Sequence, residues 1–117
     1  MTHFDFQAEV IEKSFNKPVL VDFWAPWCGP CKTLSPILEE LQVAQQDFWI
    51  LLKVNTEVET ELAEQYHIMS IPTVKLFHKG EVVAEFMGAY PRTVIERWLK
   101  EFLPIERKES LETILVE

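Results

Sequence analysis

Two cysteines, Cys28 and Cys31, are the residues of this sequence best suited to chemistry, and only Gly29 and Pro30 separate them. They stand where a short apolar run gives way to a helical pattern. In the first turn of a helix, residues i and i+3 share a face, so the two sulfurs are expected to reach bonding distance. Unsatisfied N–H groups and the positive end of the helix dipole favour a thiolate at the first position. The spacing therefore predicts that Cys28 points toward solvent with a lowered pKa and acts as nucleophile. Cys31, more sheltered, would act second.

Three other interpretations of the pair stay open from the residues alone. A purely structural disulfide would close a loop so short that the chain-entropy model gives it only about 2 kcal/mol. Half of a zinc site would need two further ligands, and the three histidines are scattered with no second cysteine pair. Two unreactive core thiols would be out of place at the start of a helix. We favour a redox pair and predict no bound metal.

Asp22 and Lys53 are each the single charge within an otherwise apolar run, residues 19–25 and 48–54. Consecutive strands of a βαβ unit are usually neighbours, which would bring the two side chains together beneath the cysteine helix. Burial there disfavours a carboxylate, and a nearby ammonium partly offsets that effect. We expect Asp22, directly or through a water, to take the proton of Cys31 as that thiol attacks a mixed disulfide. The alternative is that both charges lie at exposed strand edges.

A second group of residues suggests an apolar binding surface around Pro72. This proline stands at the start of a predicted strand, where it is a candidate for a cis peptide bond. It would also leave neighbouring backbone groups free to pair with an extended peptide. Gly88 would permit a close approach of backbone. The apolar rim would be supplied by Trp27, Pro30, Ile71 and Ala89. From the residues alone, each of these positions fits a core or turn role equally well.

The elements that must position these residues alternate between helix and strand. Apolar runs predict strands over 19–25 and 48–54, and residues 73–77 and 81–87 predict an antiparallel hairpin. Apolar residues at helical spacing predict a helix that begins near Cys28, between the first two strands. The strand–helix–strand order requires a right-handed crossover and a parallel pair.

Three further helices complete the predicted order (β)αβαβαββα. The first is capped by Asp5 and runs to about Ser14, the second covers about 58–66, and the last starts near Pro91. Pro36 lies inside the cysteine helix, where it removes a backbone hydrogen bond and is expected to produce a kink. The sequence therefore predicts an α/β domain of three layers, with a central mixed sheet between two layers of helices.

Composition narrows the class of protein further. The 117 residues are 48% hydrophobic and 26% charged, values typical of an ordinary soluble domain with one core. The net charge of −8, with no basic cluster longer than Arg107-Lys108, argues against nucleic acid as a partner. No apolar run is long enough to span a membrane, and the first residues lack the basic start of a signal peptide. We expect a cytoplasmic monomer.

The segment Trp24-Ala25-Pro26-Trp27-Cys28-Gly29-Pro30-Cys31-Lys32 resembles the active-site signature of the thioredoxin family. Further landmarks of that family follow in the same order and spacing: Asp22, Lys53 before Val54-Asn55, Ile71-Pro72-Thr73, Lys79-Gly80 and Gly88-Ala89. The resemblance covers about residues 4–103. It implies the thioredoxin fold, with a kink at Pro36 and a cis bond before Pro72.

The resemblance also implies roles for single residues. Cys28 would be the attacking thiol, Cys31 the resolving thiol and Asp22 the buried acid/base, whose pKa Lys53 tunes. The substrate-binding positions would be Trp27, Gly29, Pro30, Ile71, Pro72, Gly88 and Ala89. No cofactor would bind to the chain, because NADPH would reduce the disulfide through thioredoxin reductase. Oxidising relatives often carry His where Pro30 stands, so Pro30 favours a reductant, whose thiolate is less stabilised.

The resemblance assigns residues 1–104 to a thioredoxin domain and leaves 105–117 as a C-terminal extension. Leu111, Ile114 and Leu115 would line one side of a short helix capped by Ser110. A helix of that length is marginal unless it docks. The extension would pack loosely on its own domain, contact a partner, or begin a region of helical repeats.

Together these observations predict a thiol–disulfide oxidoreductase, a protein-disulfide reductase that serves cell redox homeostasis and electron transport to disulfide-containing proteins. The alternative is a thioredoxin-like chaperone or co-chaperone module that holds redox-sensitive clients on the same surface. A third possibility is a dedicated redox partner of one enzyme. Retention of both cysteines favours the reductase.

Overall fold

Four strands form a mixed sheet, and the computed structural model that shows it describes residues 4–104. The strands are β1 (Val19–Trp24), β2 (Ile50–Asn55), β3 (Thr73–His78) and β4 (Glu81–Met87), arranged in the order β2-β1-β3-β4. β1 and β2 pair in parallel, whereas β1 with β3 and β3 with β4 pair antiparallel. The predicted parallel pair and the closing hairpin are both confirmed. The extension predicted at 105–117 lies outside the described residues.

Three α-helices and an N-terminal helical segment cover the sheet. The α-helices are α1 (Gly29–Ala44), α2 (Thr60–Gln65) and α3 (Arg92–Phe102). Before β1, residues Gln7–Glu12 form π-helical turns that continue into a 3-10 turn at Lys13–Phe15. A single regular helix is the sequence expectation here. The π-helical turns are wider than those of an α-helix and the 3-10 turn is tighter, so this segment departs from that expectation. The observed order is αβαβαββα, without a first strand among residues 4–104.

The N-terminal helical segment is fixed at both of its ends. The Asp5 carboxylate accepts a hydrogen bond from the backbone N–H of Ala8 (3.2 Å), as expected for a capping residue. At the other end the buried Ser14 hydroxyl donates to the Ile11 carbonyl (2.6 Å) and accepts from the backbone N–H of Gly80 (2.8 Å). The Ser14 carbonyl accepts a further bond from the N–H of Lys79 (2.9 Å). Ser14 therefore joins this segment to the turn between β3 and β4.

Two apolar clusters, one on each face of the sheet, make the fold a three-layer α/β/α sandwich of the thioredoxin type. On one face α1 and α3 pack against β1 and β3, with a core that includes Leu20, Leu34, Leu38, Leu76 and Leu99. On the other face Val10 of the N-terminal segment and Leu62 of α2 pack in one cluster with Phe23 and Phe77 of the sheet. Each large apolar side chain buried in this way contributes roughly 1.5–3 kcal/mol. The sheet is thus held from both sides.

β1 is the central strand, and its sequence explains why. Residues Val19 to Phe23 have no exposed surface, as an unbroken apolar run covered on both faces requires. Asp22 lies within this run and is buried with its neighbours. The strand ends at Trp24, directly before the turn that carries the cysteines. No helix within residues 4–104 combines the length and apolar character needed to cross a bilayer.

Candidate active site

Cys28 and Cys31 are joined by a disulfide at the start of α1, with their Cα atoms 5.3 Å apart. Cys28 is the N-cap of this helix and has an extended backbone (φ −85°, ψ 107°). Its sulfur accepts a hydrogen bond from the backbone N–H of Cys31 (3.2 Å). The sulfur thereby takes the place of the hydroxyl or carboxylate that usually satisfies a free N–H at a helix start. The predicted position at the helix N-terminus is confirmed.

The prediction that Cys28 points toward solvent is wrong for this oxidised form. Cys28 is 3% exposed and Cys31 2% exposed, so solvent access hardly distinguishes them. The cause is the turn before the helix, in which the N–H of Cys28 donates to the carbonyl of Ala25 (3.1 Å). Both sulfurs then pack with Ala25 against the half-buried Trp24 and Ile71. The two cysteines differ instead in their contacts, because only Cys28 caps the helix.

A groove of about 240 Å³ opens on the inner side of the disulfide, and we call it the Cys31 groove. Its lining includes Cys31, Ser35 and Glu39 of α1, together with Trp24 of β1 and Lys53 of β2. These three helical residues follow one another at i, i+4 and i+8, so they form one stripe. The groove leads solvent to the second cysteine.

Asp22 is buried beneath this groove without lining it. Its Oδ2 accepts a hydrogen bond from the Ser35 hydroxyl (2.7 Å), whereas Oδ1 has no hydrogen-bond partner among residues 4–104. Burial raises the pKa of Asp22 above its ordinary value, because it disfavours the charged form. The Ser35 hydrogen bond and then the charge of Lys53 oppose this rise, and the charge of Glu39 adds to it. The alternative of an exposed strand edge is therefore wrong for Asp22.

Lys53 is the register partner of Asp22 across the parallel pair of β1 and β2. Its ammonium nevertheless donates to Glu39 (3.0 Å) and lies 5.4 Å from the centre of the Trp24 ring. The Lys53 side chain is 37% exposed. Its effect on Asp22 is therefore a charge effect through space and not a direct ion pair.

Ser35 and Glu39 are site residues that reasoning from the sequence missed. Both lie on α1 outside the stripe of apolar residues that predicts this helix. Their signal was present, since they stand four and eight residues after Cys31. Any residue on that line shares the face of the second cysteine, and a serine there is suited to contact a buried carboxylate.

The structure brings together some of the residues of the predicted binding surface. The Ile71–Pro72 peptide bond is cis, as predicted, and the Pro72 carbonyl accepts a hydrogen bond from the N–H of Gly88 (2.9 Å). Gly88 has a φ of 103°, and a Cβ placed on it would meet no atom within 4 Å. Backbone conformation therefore accounts for this glycine within the described residues, and the close approach of a substrate backbone to it stays a prediction.

Trp27 is the most prominent apolar side chain beside the disulfide, with 69% of its surface exposed. A shallow groove of about 320 Å³ joins it to Ile71, Met69 and Ser70. Met69, which reasoning from the sequence did not single out, is 90% exposed. The remaining predicted positions, Gly29, Pro30 and Ala89, are exposed but do not line this groove.

Within residues 4–104 no three His, Cys, Asp or Glu side chains cluster closely enough to hold a metal ion. In that part of the chain the second ligand pair that a zinc site would need is thus absent. Both sulfurs are already bonded to each other. The arrangement is that of a reversible dithiol.

Comparison with known proteins agrees with this chemistry. The family model described as Thioredoxin matches residues 1–101. Thioredoxin 1 of Synechococcus elongatus is 43% identical over 103 residues, which cover 88% of this chain and 94% of that protein. The thioredoxin of Alicyclobacillus acidocaldarius is 44% identical over 88 residues, 75% of this chain and 84% of that protein. A bifunctional thioredoxin reductase/thioredoxin of Mycobacterium leprae is 40% identical over 104 residues, 89% of this chain and 22% of that protein.

Proposed function

Since this chain belongs to the thioredoxin family, we propose which of its residues carry each step of dithiol–disulfide exchange. The protein is a thiol–disulfide oxidoreductase that reduces protein disulfides through Cys28 and Cys31. The observation that carries the assignment of roles is the hydrogen bond from the Cys31 N–H to the Cys28 sulfur. It marks Cys28 as the sulfur at the positive end of the helix.

In the first step the thiolate of Cys28 attacks one sulfur of a substrate disulfide. A bond forms between Cys28 and that sulfur, and the other substrate sulfur leaves as a thiolate. The N-cap position supports this role, because the backbone N–H and the helix dipole both stabilise negative charge on the sulfur. Cys28 is thus the nucleophile of the proposed cycle.

In the second step Cys31 loses its proton and attacks the Cys28 sulfur. The Cys28–Cys31 disulfide forms and the second substrate thiolate is released, so two electrons have passed from the protein to the substrate. We assign the proton of Cys31 to the carboxylate of Asp22, which is buried under the Cys31 groove and is a stronger base than an exposed carboxylate because burial raises its pKa. Lys53 tunes Asp22 through its charge.

The substrate would lie across the exposed face beside the disulfide. Trp27 and Ile71 offer apolar surface, and Gly29, Pro30, Pro72, Gly88 and Ala89 complete the proposed contact set. An extended segment of substrate would pair with the backbone next to Pro72, as an added strand does.

We further propose that thioredoxin reductase and NADPH regenerate the dithiol. Support comes from the Mycobacterium leprae relative, whose name places a thioredoxin reductase and a thioredoxin in one protein. A reductant of this kind must be kept reduced, which suits the poise of the cytoplasm. We therefore place the cycle and its electron transport there.

Turnover of insulin disulfides with NADPH and a thioredoxin reductase tests the direction of the reaction. We expect steady NADPH oxidation that stops when Cys28 is replaced by serine. The Cys31→Ser variant should instead accumulate a mixed disulfide with its substrate, and the Cys28→Ser variant should not. If the Cys28→Ser variant accumulated a mixed disulfide through Cys31 and the Cys31→Ser variant did not, the proposed roles of the two cysteines would be reversed. A protein that suppresses client aggregation equally well with both cysteines replaced, yet oxidises no NADPH, would be a chaperone module instead.

A further inference from the structure

We propose that Ser35 is a positioning residue that carries a proton between the Cys31 groove and the buried carboxyl of Asp22. The inference deepens the proposed function and rests on the role of Asp22 in the second step. It names the connection through which that role would operate.

The first ground is the isolation of Asp22. Its side chain has no exposed surface and does not line the Cys31 groove. Among residues 4–104, Oδ1 has no hydrogen-bond partner and the one hydrogen bond to Oδ2 comes from Ser35. Among the protein groups of residues 4–104, Ser35 is therefore the one hydrogen-bonded link between this carboxyl and the groove.

The second ground is the position of Ser35 itself. It lines the Cys31 groove together with Cys31, although the residue is only 8% exposed. The two residues are at i and i+4 on α1, a spacing that brings Cβ atoms to roughly 5–6 Å of each other. A groove of about 240 Å³ has room for water between them. Ser35 thus contacts Asp22 on one side and the solvent of the groove on the other.

The third ground is the chemistry of a hydroxyl, which donates one hydrogen bond and accepts two. Ser35 already donates to Asp22 (2.7 Å), and its lone pairs can receive a proton. The Cys31 proton passes to Ser35 Oγ, directly or through one groove water, as the original Ser35 proton passes to Asp22 Oδ2. Cys31 becomes a thiolate, Asp22 becomes a neutral acid and Ser35 ends as the hydroxyl it began as.

The hydrogen bond from Ser35 has a larger effect on Asp22 than any neighbouring charge has. From β2 the nearby charge is Lys53, which is paired with Glu39 of α1. Lys32 of α1 also lines the Cys31 groove. From β3 the register partner of Asp22 is Val74, which carries no charge.

The test compares Ser35→Ala and Ser35→Thr with the wild type. Reduced protein is mixed with a disulfide substrate and the second step is followed by tryptophan fluorescence between pH 6 and 9. We expect Ser35→Ala to slow this step at neutral pH by about tenfold, a fraction of the 10²–10⁴-fold that acid–base catalysis contributes. Ser35→Thr keeps the hydroxyl and should restore the rate. Thr33→Ala, which removes an exposed hydroxyl from the same helix, should change nothing.

A second measurement does not depend on turnover. Carbon-13 NMR titration of the Asp22 carboxyl in the oxidised protein should show a higher pKa in Ser35→Ala, because the lost hydrogen bond stabilises the carboxylate. Ser35→Thr should return the titration to its wild-type position. A slow Ser35→Ala variant with an unchanged Asp22 titration would assign Ser35 a merely structural role and overturn the inference.

Asp22→Asn separates this inference from the proposed function. If Asp22→Asn slows the second step while Ser35→Ala runs at the wild-type rate, Asp22 keeps its role and the Ser35 route is wrong. If neither variant slows it, the acid–base role of Asp22 fails and the inference fails with it. The expected result is that both variants slow the step, Asp22→Asn by more than Ser35→Ala, and that Ser35→Thr restores the rate.

Discussion

Asp22 on β1 and Lys53 on β2 are direct partners in the parallel register of the sheet, yet no hydrogen bond joins them. The ammonium of Lys53 is held by Glu39 and the carboxyl of Asp22 by Ser35. Each of the two central charges thus has its own partner on α1. The helix that carries the cysteines therefore supplies the hydrogen-bond partner of each of these two charged side chains.

Replacing Lys53 by glutamine tests its action on Asp22. The positive charge of Lys53 lowers the pKa of Asp22, so the variant should show a higher Asp22 pKa and need a higher pH for the second step. The pH dependence of single-turnover oxidation measures this directly. Lys75→Gln is a matched control, because Lys75 pairs with Glu85 on the neighbouring strand. Identical profiles for Lys53→Gln and wild type would remove Lys53 from the site.

Asp22→Asn should be more stable than the wild type at neutral pH. Burial raises the pKa of Asp22 above 3.8, its ordinary value, so the folded state binds the proton more tightly than the unfolded state. Below pH 3.8 Asp22 is neutral in both states and carries no ionisation penalty. As the pH rises through the pKa of Asp22 in the folded state, this stability is lost. The loss is about 1.4 kcal/mol for each pH unit by which the pKa in the folded state exceeds the pKa in the unfolded state.

Urea unfolding of the oxidised proteins at pH 3.5 and pH 8 checks this prediction. The gain in unfolding free energy from Asp22→Asn should be larger at pH 8 than at pH 3.5. Asp47→Asn, at an exposed carboxylate, should show no such dependence. A gain of equal size at both pH values would refute the link to ionisation.

Gly88→Ala should destabilise the fold by roughly 1–2 kcal/mol, because an L residue pays that amount for a left-handed conformation. The φ of 103° at this glycine is the source of the cost, since a Cβ there would meet no neighbour within 4 Å. Chemical denaturation measures the change. Gly29→Ala is the control, because that position is equally open and its φ is ordinary. Equal stability of both variants would contradict the conformational argument.

Trp27→Ala should weaken substrate binding with little change in stability. The indole is 69% exposed beside the disulfide, so its removal takes apolar contact area from a bound substrate and little from the core. The KM for insulin should rise roughly tenfold, the effect of losing about 1.4 kcal/mol of contact. Val43→Ala changes an equally exposed side chain (67%) at the far end of α1 and should leave KM unaltered. An unaltered KM in Trp27→Ala would exclude Trp27 from the binding surface.

The parts of the fold that the sequence predicted well are those that local pattern controls. The apolar run at residues 19–25 favoured a covered strand, and the helical spacing of apolar residues after Cys28 predicted where the helix begins. The cis bond at Pro72 was predicted from a proline at the start of a strand. In each case neighbouring residues in the chain carry the information.

The parts that escaped prediction depend on how elements lie against one another. The burial of Cys28 follows from the turn closed by Ala25, whose geometry no residue pattern specifies. The Ser35 contact with Asp22 depends on the rotation of α1 over the sheet. The choice of Glu39 as the partner of Lys53 depends on that same rotation. Helical spacing could have nominated Ser35 and Glu39, but not their partners.

The hydrogen bonds that Ser14 accepts from Lys79 and Gly80 affect the order in which parts of the fold form. It joins the chain's first turns to a hairpin that lies 66 residues later in sequence. During synthesis on the ribosome these Ser14 hydrogen bonds can therefore form only after most of the domain has been made. The last hairpin to emerge is what locks the first helical turns in place.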